Sequence, residues 1–180
     1  MVKEIPSPFN TVNDNKGNVL ADSLHQIFIE NGVDFASGVP CGVLRHIIEN
    51  LNCDRKIIHA PANRESEAVG IAAGAYFAGK KPVVYMQNSG LFAASNDIAS
   101  LLIPYRIPLF FVVSYRGCEG ENAVQHHVTG RATVGLIASL GLPYVVFGKH
   151  DLGGLVRSLF VEMQQSESSV VLLLKRGWNR

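Results

Sequence analysis

Residues 82–114 read PVVYMQNSGLFAASNDIASLLIPYRIPLFFVVS, and they contain two apolar, β-prone runs on either side of a helical segment. The runs at 82–87 and 108–114 are nearly continuous rather than alternating, which is typical of strands that are buried on both faces. The segment between them, 91–102, is predicted to be a helix. Two buried strands joined by a helix indicate a parallel sheet.

The same alternation of strands and helices extends through the rest of the chain. Further helices are predicted at 18–32, 41–51, 62–77, 131–140 and 151–165, and further strands at 33–37, 56–60, 143–147 and 169–174. This order predicts an α/β fold, in which a doubly wound, mostly parallel sheet carries helices on both faces. We assign residues 18–180 to this single domain and residues 1–17 to an N-terminal segment.

The composition of the 180-residue chain narrows the class of protein. Hydrophobic residues make up 47%, which excludes a disordered chain. Charged residues make up 17%, against a typical value of about 25%, which indicates that another chain covers part of the surface. The formal net charge of +1 offers no basic excess, so we expect no nucleic-acid partner.

The cysteines and the apolar runs bear on the cellular compartment. Cys41, Cys53 and Cys118 are odd in number and lack a C-x-x-C spacing, which argues against disulfides or a zinc site and favours a reducing compartment. The longest apolar stretch, 101–113, is interrupted by prolines and an arginine and is too broken to span a bilayer. Residues 1–18 lack the apolar region of a signal peptide. We therefore expect a cytoplasmic protein without a membrane segment.

Ligands of a doubly wound sheet lie beyond the carboxyl ends of the strands, which here lead into four loops. In the first, Gly38, Val39 and Pro40 form a turn that either presents its amides to a ligand or only links a strand to a helix. In the second, Glu65 and Glu67 precede a helix, where acidic residues often complement the helix dipole. Glu65 also stands where a strand leads into a helix, so a chemical role is equally open.

The third and fourth loops carry polar side chains of other kinds. Asn88 and Ser89 precede a helix, where they suit an anion or a polarised carbonyl, an N-cap, or both. The fourth loop carries Arg116, Gln125, His126 and His127. Adjacent histidines are a weak signal for zinc and a better one for proton transfer, and the alternative is a solvated loop.

Two other kinds of site are disfavoured by the motifs. A nucleophilic Ser89 or Cys41 with His126 as its base would make a hydrolase, but the chain has no G-x-S-x-G elbow. It has neither a G-x-x-x-x-G-K-[ST] loop nor a G-x-G-x-x-G after a strand, which disfavours nucleotide binding.

Taken together, the four loops carry a resemblance to a known family. The run at 62–90 resembles the pyrimidine-binding domain of the thiamine-diphosphate-dependent 2-oxo acid decarboxylases, as does the G-V-P turn at 38–40. The M-Q-N-S-G-L at 86–91, with Arg116-Gly117 and Gln125-His126, is most similar to phosphonopyruvate decarboxylases and to the α subunits of sulfopyruvate decarboxylases.

The resemblance implies a role for each matching residue. Glu65 would be the glutamate that contacts the cofactor, and His126 or His127 would relay a proton. The other residues implied in cofactor binding are Gly38, Val39, Pro40, Asn88, Ser89 and Gly90. Those implied in substrate binding are Asn88, Ser89, Arg116, Gln125 and His126. We expect no metal on this chain.

The resemblance also implies that half of the active site belongs to another chain. The family holds the diphosphate through Mg²⁺ with a G-D-G motif, which this sequence lacks. We therefore expect a hetero-oligomer with a β subunit that carries this part. The expected reaction is decarboxylation of 3-sulfopyruvate to sulfoacetaldehyde, as in coenzyme M biosynthesis. The alternatives are phosphonopyruvate decarboxylation to phosphonoacetaldehyde and a non-catalytic assembly or regulatory module.

Three departures from the family pattern leave the 3-substituent of the substrate open. Phe92-Ala93 replaces Gly-Asn after N-S-G-L, and Asn122-Ala123-Val124 replaces the acidic and proline residues before Q-H. The first turn reads V-P-C-G instead of V-P-D-S.

Overall fold

The two apolar runs at 82–87 and 108–114 form the middle of a six-stranded sheet. A computed structural model describes residues 15–118, 121, 123–148 and 151–178. In it, strands β3 (Pro82–Gln87) and β4 (Phe110–Tyr115) pair in parallel, and each buries all but its last residue. The prediction of strands buried on both faces is confirmed.

The remaining elements complete a doubly wound architecture. The other strands are β1 (Phe35–Gly38), β2 (Ile58–Pro61), β5 (Tyr144–Phe147) and β6 (Val170–Lys175). The helices are α1 (Asn15–Glu30), α2 (Arg45–Cys53), α3 (Glu65–Phe77), α4 (Asn88–Ala93), α5 (Ser95–Asp97), α6 (His127–Ser139) and α7 (Leu152–Ser166). The strand order is β2-β1-β3-β4-β6-β5, with every described pairing parallel, so the predicted α/β fold is confirmed.

Two apolar layers cover the two faces of the sheet. Helices α1, α2 and α7 pack on one face, where Phe110 of β4 stacks on Phe160 with ring centroids 4.6 Å apart. Helices α3, α4 and α6 pack on the other face, which receives the next residue of β4, Phe111. Because successive strand residues point to opposite faces, one apolar run serves both layers.

Several predicted boundaries are wrong, and α6 shows why. The helix predicted to start at residue 131 begins at His127 and runs through Gly130. Gly130 lies inside the helix because the backbone of Gly117 packs directly against it, where a Cβ would lie 2.6 Å from the Gly117 Cα. A close backbone approach of this kind requires glycine, which accounts for Gly130 within the helix.

The boundaries of three other predicted helices also differ from the structure. Helix α1 begins at Asn15, three residues before the predicted start, while residues 1–14 of the predicted N-terminal segment lie outside the described residues. The helix predicted at 91–102 starts at Asn88 and is divided into α4, α5 and a π-helical turn at Ile98–Leu102. The helix predicted at 41–51 is a 3₁₀ turn at Gly42–Leu44 followed by α2.

The strand order also positions the site. Strands β1 and β3 are neighbours although β2 lies between them in the chain, so the connections after β1 and β3 diverge. Such a divergence opens a crevice at the carboxyl ends of the strands. None of the helices in the described ranges is long and apolar enough to cross a membrane.

Candidate active site

A pocket of about 320 Å³ lies at this crevice. Its lining residues come from the turn after β1, the start of α3, the junction of β3 with α4, and the end of β4. They are Val39, Pro40, Cys41, Gly42, Glu65, Gln87, Ser89 and Arg116. The pocket therefore joins all four loops that the sequence predicted to meet.

Glu65 is the acidic residue of this pocket. It is the first residue of α3, is half-buried, and lies against Gly90 in the first turns of α4. A Cβ on Gly90 would stand 2.7 Å from the carboxyl carbon and from one carboxyl oxygen of Glu65, so only glycine leaves room for this carboxylate. Across the described ranges, the carboxylate has no hydrogen-bond or ion-pair partner. It is an acceptor available to a ligand.

The Gly-Val-Pro turn is held by strand β3. Gly38 packs against Tyr85, where a Cβ would lie 2.6 Å from a ring carbon. The amide of Val39 donates a hydrogen bond of 3.1 Å to the carbonyl of Tyr85. That amide is therefore not available to a ligand, and the turn contributes its shape to the pocket.

The Tyr85 hydroxyl belongs to a chain of hydrogen bonds that the sequence analysis missed. Its side chain is buried, and its hydroxyl lies 2.8 Å from Nε2 of His59, whose Nδ1 lies 3.1 Å from the side-chain oxygen of Asn52. Burial raises the pKa of Tyr85 to about 12 and lowers the pKa of His59. Because the Asn52 oxygen can only accept, the neutral His59 ring donates from Nδ1 and accepts a hydrogen bond from the Tyr85 hydroxyl at Nε2. A tyrosine inside a buried strand is itself a signal, because its hydroxyl needs a partner.

Asn88 lies behind the pocket and does not line it. Its side chain is fully buried, and its Nδ2 donates to the Arg116 carbonyl at 2.9 Å and to the Thr133 hydroxyl at 2.8 Å. Its Oδ1 accepts from the Arg116 amide at 3.1 Å. The side chain thus ties the end of β4 to α6, and the N-cap position is taken by Gln87. The Gln87 amide donates to the Ser89 hydroxyl at 2.7 Å.

Arg116 is the cation of the pocket. Its Nε donates to the Glu121 carboxylate, which also lies 3.6 Å from Nη1 of Arg176. The hydrogen bond from Arg116 is the main reason why the pKa of Glu121 falls to about 2, and the same bond raises the pKa of Arg116. Glu121 is a residue that sequence reasoning did not select. An acid five positions after an arginine in one loop could have indicated the pair.

The structure does not bring the histidines to the pocket lining. Gln125 is exposed in a 3₁₀ turn, His126 ends that turn, and His127 begins α6. Nε2 of His127 lies 3.1 Å from the Glu121 carbonyl. The loop that carries these residues is held near Arg116 by the contact of Gly117 with the carbonyl of His126.

Comparison with known proteins identifies the family. Residues 16–133 match the model of the thiamine pyrophosphate enzyme, N-terminal TPP binding domain. The chain belongs to the thiamine pyrophosphate enzyme family. The resemblance predicted from residues 62–90 is thereby confirmed.

The similar proteins within this family are named for two different activities. The chain is 45% identical over 113 residues to sulfopyruvate decarboxylase subunit alpha of Methanothermobacter thermautotrophicus, a match that covers 63% of this chain and 68% of the relative. It is 36% identical to the subunit of the same name from Methanococcus maripaludis, covering 69% and 74%. It is 39% identical to phosphonopyruvate decarboxylase of Streptomyces hygroscopicus, covering 57% and 26%.

One solved structure shares the fold of this chain. The 2-oxoglutarate:ferredoxin oxidoreductase from Magnetococcus marinus superposes with a TM-score of 0.61, over 99% of this chain and 33% of that chain. At 17% sequence identity the likeness concerns the fold alone.

Proposed function

We propose that this chain is the α subunit of a thiamine-diphosphate-dependent decarboxylase that converts 3-sulfopyruvate to sulfoacetaldehyde and CO₂. The observation that carries the proposal is the unpartnered carboxylate of Glu65, set against Gly90 at the pocket. Similarity to sulfopyruvate decarboxylase α subunits over about two thirds of their length supports the substrate assignment.

The residues of the pocket fit thiamine diphosphate. Its aminopyrimidine has a ring nitrogen that can share a proton with a carboxyl group, and Glu65 offers a carboxylate with no competing partner in the described structure. When bound, the cofactor supplies the nucleophile and the electron sink for decarboxylation. Glu65 would hold the pyrimidine and keep a shared proton at its carboxylate. Gly38, Val39, Pro40, Ser89 and Gly90 would shape the space around the ring, and Asn88 would act by holding the backbone behind it.

Arg116 would bind the sulfonate of the substrate. A guanidinium presents several donors in one plane and suits tetrahedral oxyanions. Its Nε is engaged by Glu121, and its two terminal amino groups have no hydrogen-bond partner among residues 15–118, 121, 123–148 and 151–178. Ser89, whose hydroxyl accepts from Gln87, would donate to the substrate carboxylate or carbonyl.

The reaction consumes one proton. The bond between C1 and C2 breaks, CO₂ leaves, and a proton takes its place on C2. We assign proton delivery to His126 or His127, with Gln125 as a further substrate contact. These three residues do not line the described pocket, so this assignment requires the assembled enzyme to bring one imidazole closer.

The diphosphate and Mg²⁺ would be held by a separate β subunit. The described residues contain no group of three His, Cys, Asp or Glu side chains that could hold a metal ion. The three cysteines are unpaired, which suits a protein of the cytoplasm.

The decisive experiment mixes this chain with the β subunit, thiamine diphosphate and Mg²⁺. CO₂ release is then compared for sulfopyruvate, phosphonopyruvate and pyruvate, with each subunit alone as a control. The proposal expects release from the mixture alone and the highest kcat/KM for sulfopyruvate. A preference for phosphonopyruvate would select the alternative enzyme, and no release from a stable complex would favour a non-catalytic module.

Glu65→Gln tests the site within the same assay. We expect decarboxylation to fall by about 10²- to 10⁴-fold, because the amide cannot hold the proton that the carboxylate holds. Glu67→Gln is the matched control, since Glu67 lies in the same helical turn, is exposed, and accepts a bond from the Asn63 amide. Near-normal turnover by a correctly assembled Glu65→Gln enzyme would refute the role of Glu65.

A further inference from the structure

Glu121 lies beside the pocket without lining it. Its side chain is 4% exposed, whereas that of Arg116, which does line the pocket, is 19% exposed. A buried carboxylate that accepts from the inner nitrogen of a guanidinium determines which donors remain for a ligand. Here the remaining donors of Arg116 are its two terminal amino groups.

Glu121 is itself held in place by its own loop. Its amide donates to the Cys118 carbonyl at 3.1 Å, and its carbonyl lies 3.1 Å from Nε2 of His127. The Ala123 amide donates to its carboxylate at 3.3 Å. A residue that is held at its amide, its carbonyl and its carboxylate keeps the guanidinium in one position.

Glu121 also offsets the charge that a substrate meets. The charged residues that line the pocket are Glu65 and Arg116. With its pKa lowered to about 2, Glu121 is ionised at neutral pH, so the Arg116–Glu121 pair has no net charge. Arg176, the second cation near Glu121, is 66% exposed, so water screens most of its charge.

The two candidate substrates differ in charge at the position that Arg116 would bind. A sulfonate carries one negative charge. A phosphonate approaches two, as a phosphate monoester does with about −1.5 to −2 at pH 7. A guanidinium whose charge is already offset by a carboxylate suits the anion with the smaller charge. The second negative charge of the phosphonate would lie near the Glu121 carboxylate without a cation to balance it.

We infer that Glu121 is a specificity-determining residue, which positions Arg116 and offsets its charge so that the site favours a monoanionic sulfonate over a dianionic phosphonate. The inference rests on the proposed function, because it takes the pocket to be the substrate site.

Two variants of Glu121 separate charge from position. Glu121→Gln keeps an oxygen that can accept from Arg116 but removes the negative charge, and Glu121→Asp keeps the charge on a shorter side chain. In the assembled enzyme at pH 8, we expect Glu121→Gln to shift the ratio of kcat/KM for sulfopyruvate over phosphonopyruvate about tenfold toward phosphonopyruvate, mainly through KM. Glu121→Asp should stay within about twofold of the wild-type ratio, because it retains the charge.

Glu167→Gln is the matched control. Glu167 is 64% exposed and pairs with Arg106 at 3.1 Å, so its loss removes the same kind of ion pair from the surface. The ratio should stay within about twofold of the wild type, because exposed pairs contribute little. An unchanged ratio in Glu121→Gln, or an equal shift in Glu121→Asp, would overturn the inference.

A binding measurement separates this inference from the proposed function. Titration calorimetry of the assembled complex with 3-sulfopropionate and 3-phosphonopropionate, which cannot be decarboxylated, reports the preference without turnover. A wild-type complex that releases no CO₂ refutes the proposed function, while the Kd ratio of these two anions still tests Glu121. The inference stands if Glu121→Gln moves that ratio toward the phosphonate, and it is overturned if the ratio stays the same or if neither anion binds.

Discussion

The two sides of the pocket are built in different ways. On one side, Glu65 meets Gly90, and both residues belong to helices that start directly at the carboxyl ends of the sheet. On the other side, Arg116 meets Glu121 in the loop after β4, where side-chain contacts hold the position. The first side is determined by close backbone packing, and the second by a hydrogen-bonded ion pair.

This difference fits the roles that the proposed function assigns to the two sides. A carboxylate set against a glycine backbone has few ways to move, which suits a cofactor that must be held in one orientation. An ion pair in a loop can change its residues without disturbing the sheet, which suits the part of the site that distinguishes substrates. Asn88 connects the two sides, because it begins α4 and bonds to both the amide and the carbonyl of Arg116.

The largest effect is expected from disrupting the side of the pocket where Glu65 packs against Gly90. Gly90→Ala places a methyl group within 2.7 Å of the Glu65 carboxyl carbon, so that carboxylate must move. We expect kcat/KM of the assembled enzyme to fall by about 10²-fold, the usual result of displacing a reacting group by about an ångström. Gly135→Ala is the control, since a Cβ there meets nothing within 4 Å in an exposed part of α6. Equal activity of both variants would contradict the packing argument.

The second largest effect is expected from removing the side chain of Asn88, which connects the two sides of the pocket. Asn88→Ala leaves the amide and carbonyl of Arg116 without their side-chain partners in a buried position. We expect the free energy of unfolding, measured by urea denaturation, to fall by about 2–4 kcal/mol. Asn50→Ala removes a hydrogen bond to Asp22 of similar length, 2.8 Å, from an exposed site, and should cost no more than about 0.5 kcal/mol. Similar losses for the two variants would show that Asn88 does not brace the site.

The smallest effect is expected from removing the charge of Glu121, which pairs with Arg116 on the other side of the pocket. The folded-state pKa of Glu121 is lowered from 4.5 to about 2, so its ionisation stabilises the fold above pH 4.5, and this stabilisation disappears as the pH falls toward 2. We expect the wild type to be more stable than Glu121→Gln at pH 6 and the difference to shrink steadily between pH 4.5 and 2. Urea denaturation of both proteins across this range checks the sign. A difference that is constant with pH would show that the Glu121 charge does not contribute to stability.

Local pattern was sufficient to predict the sheet, whereas Glu65 and Gly90 were selected by the resemblance to a known family. The apolar runs at 82–87 and 108–114 become β3 and β4 because their residues can be buried only between two layers of helices. Glu65 and Gly90 lie in one run of residues that contains the start of α3, strand β3 and the start of α4. Their contact at the starts of α3 and α4, which the sequence analysis did not predict, depends on the connections that follow β2 and β3.

Only the tertiary structure determined the rest. Asn88 and Ser89 are adjacent in the chain, yet Asn88 is buried behind the pocket and Ser89 lines it, because α4 starts at Asn88 and turns the two side chains in different directions. The pairing of Arg116 with Glu121 depends on a loop whose course is set by the backbone contact between Gly117 and Gly130. Residue types and spacing determined the fold, and the family resemblance selected Glu65 as the carboxylate that we propose binds the cofactor. The side of the pocket that carries Arg116 also depends on contacts between segments that are distant in the chain, such as those of Asn88 with the Arg116 backbone, and no local pattern in the sequence encodes their geometry.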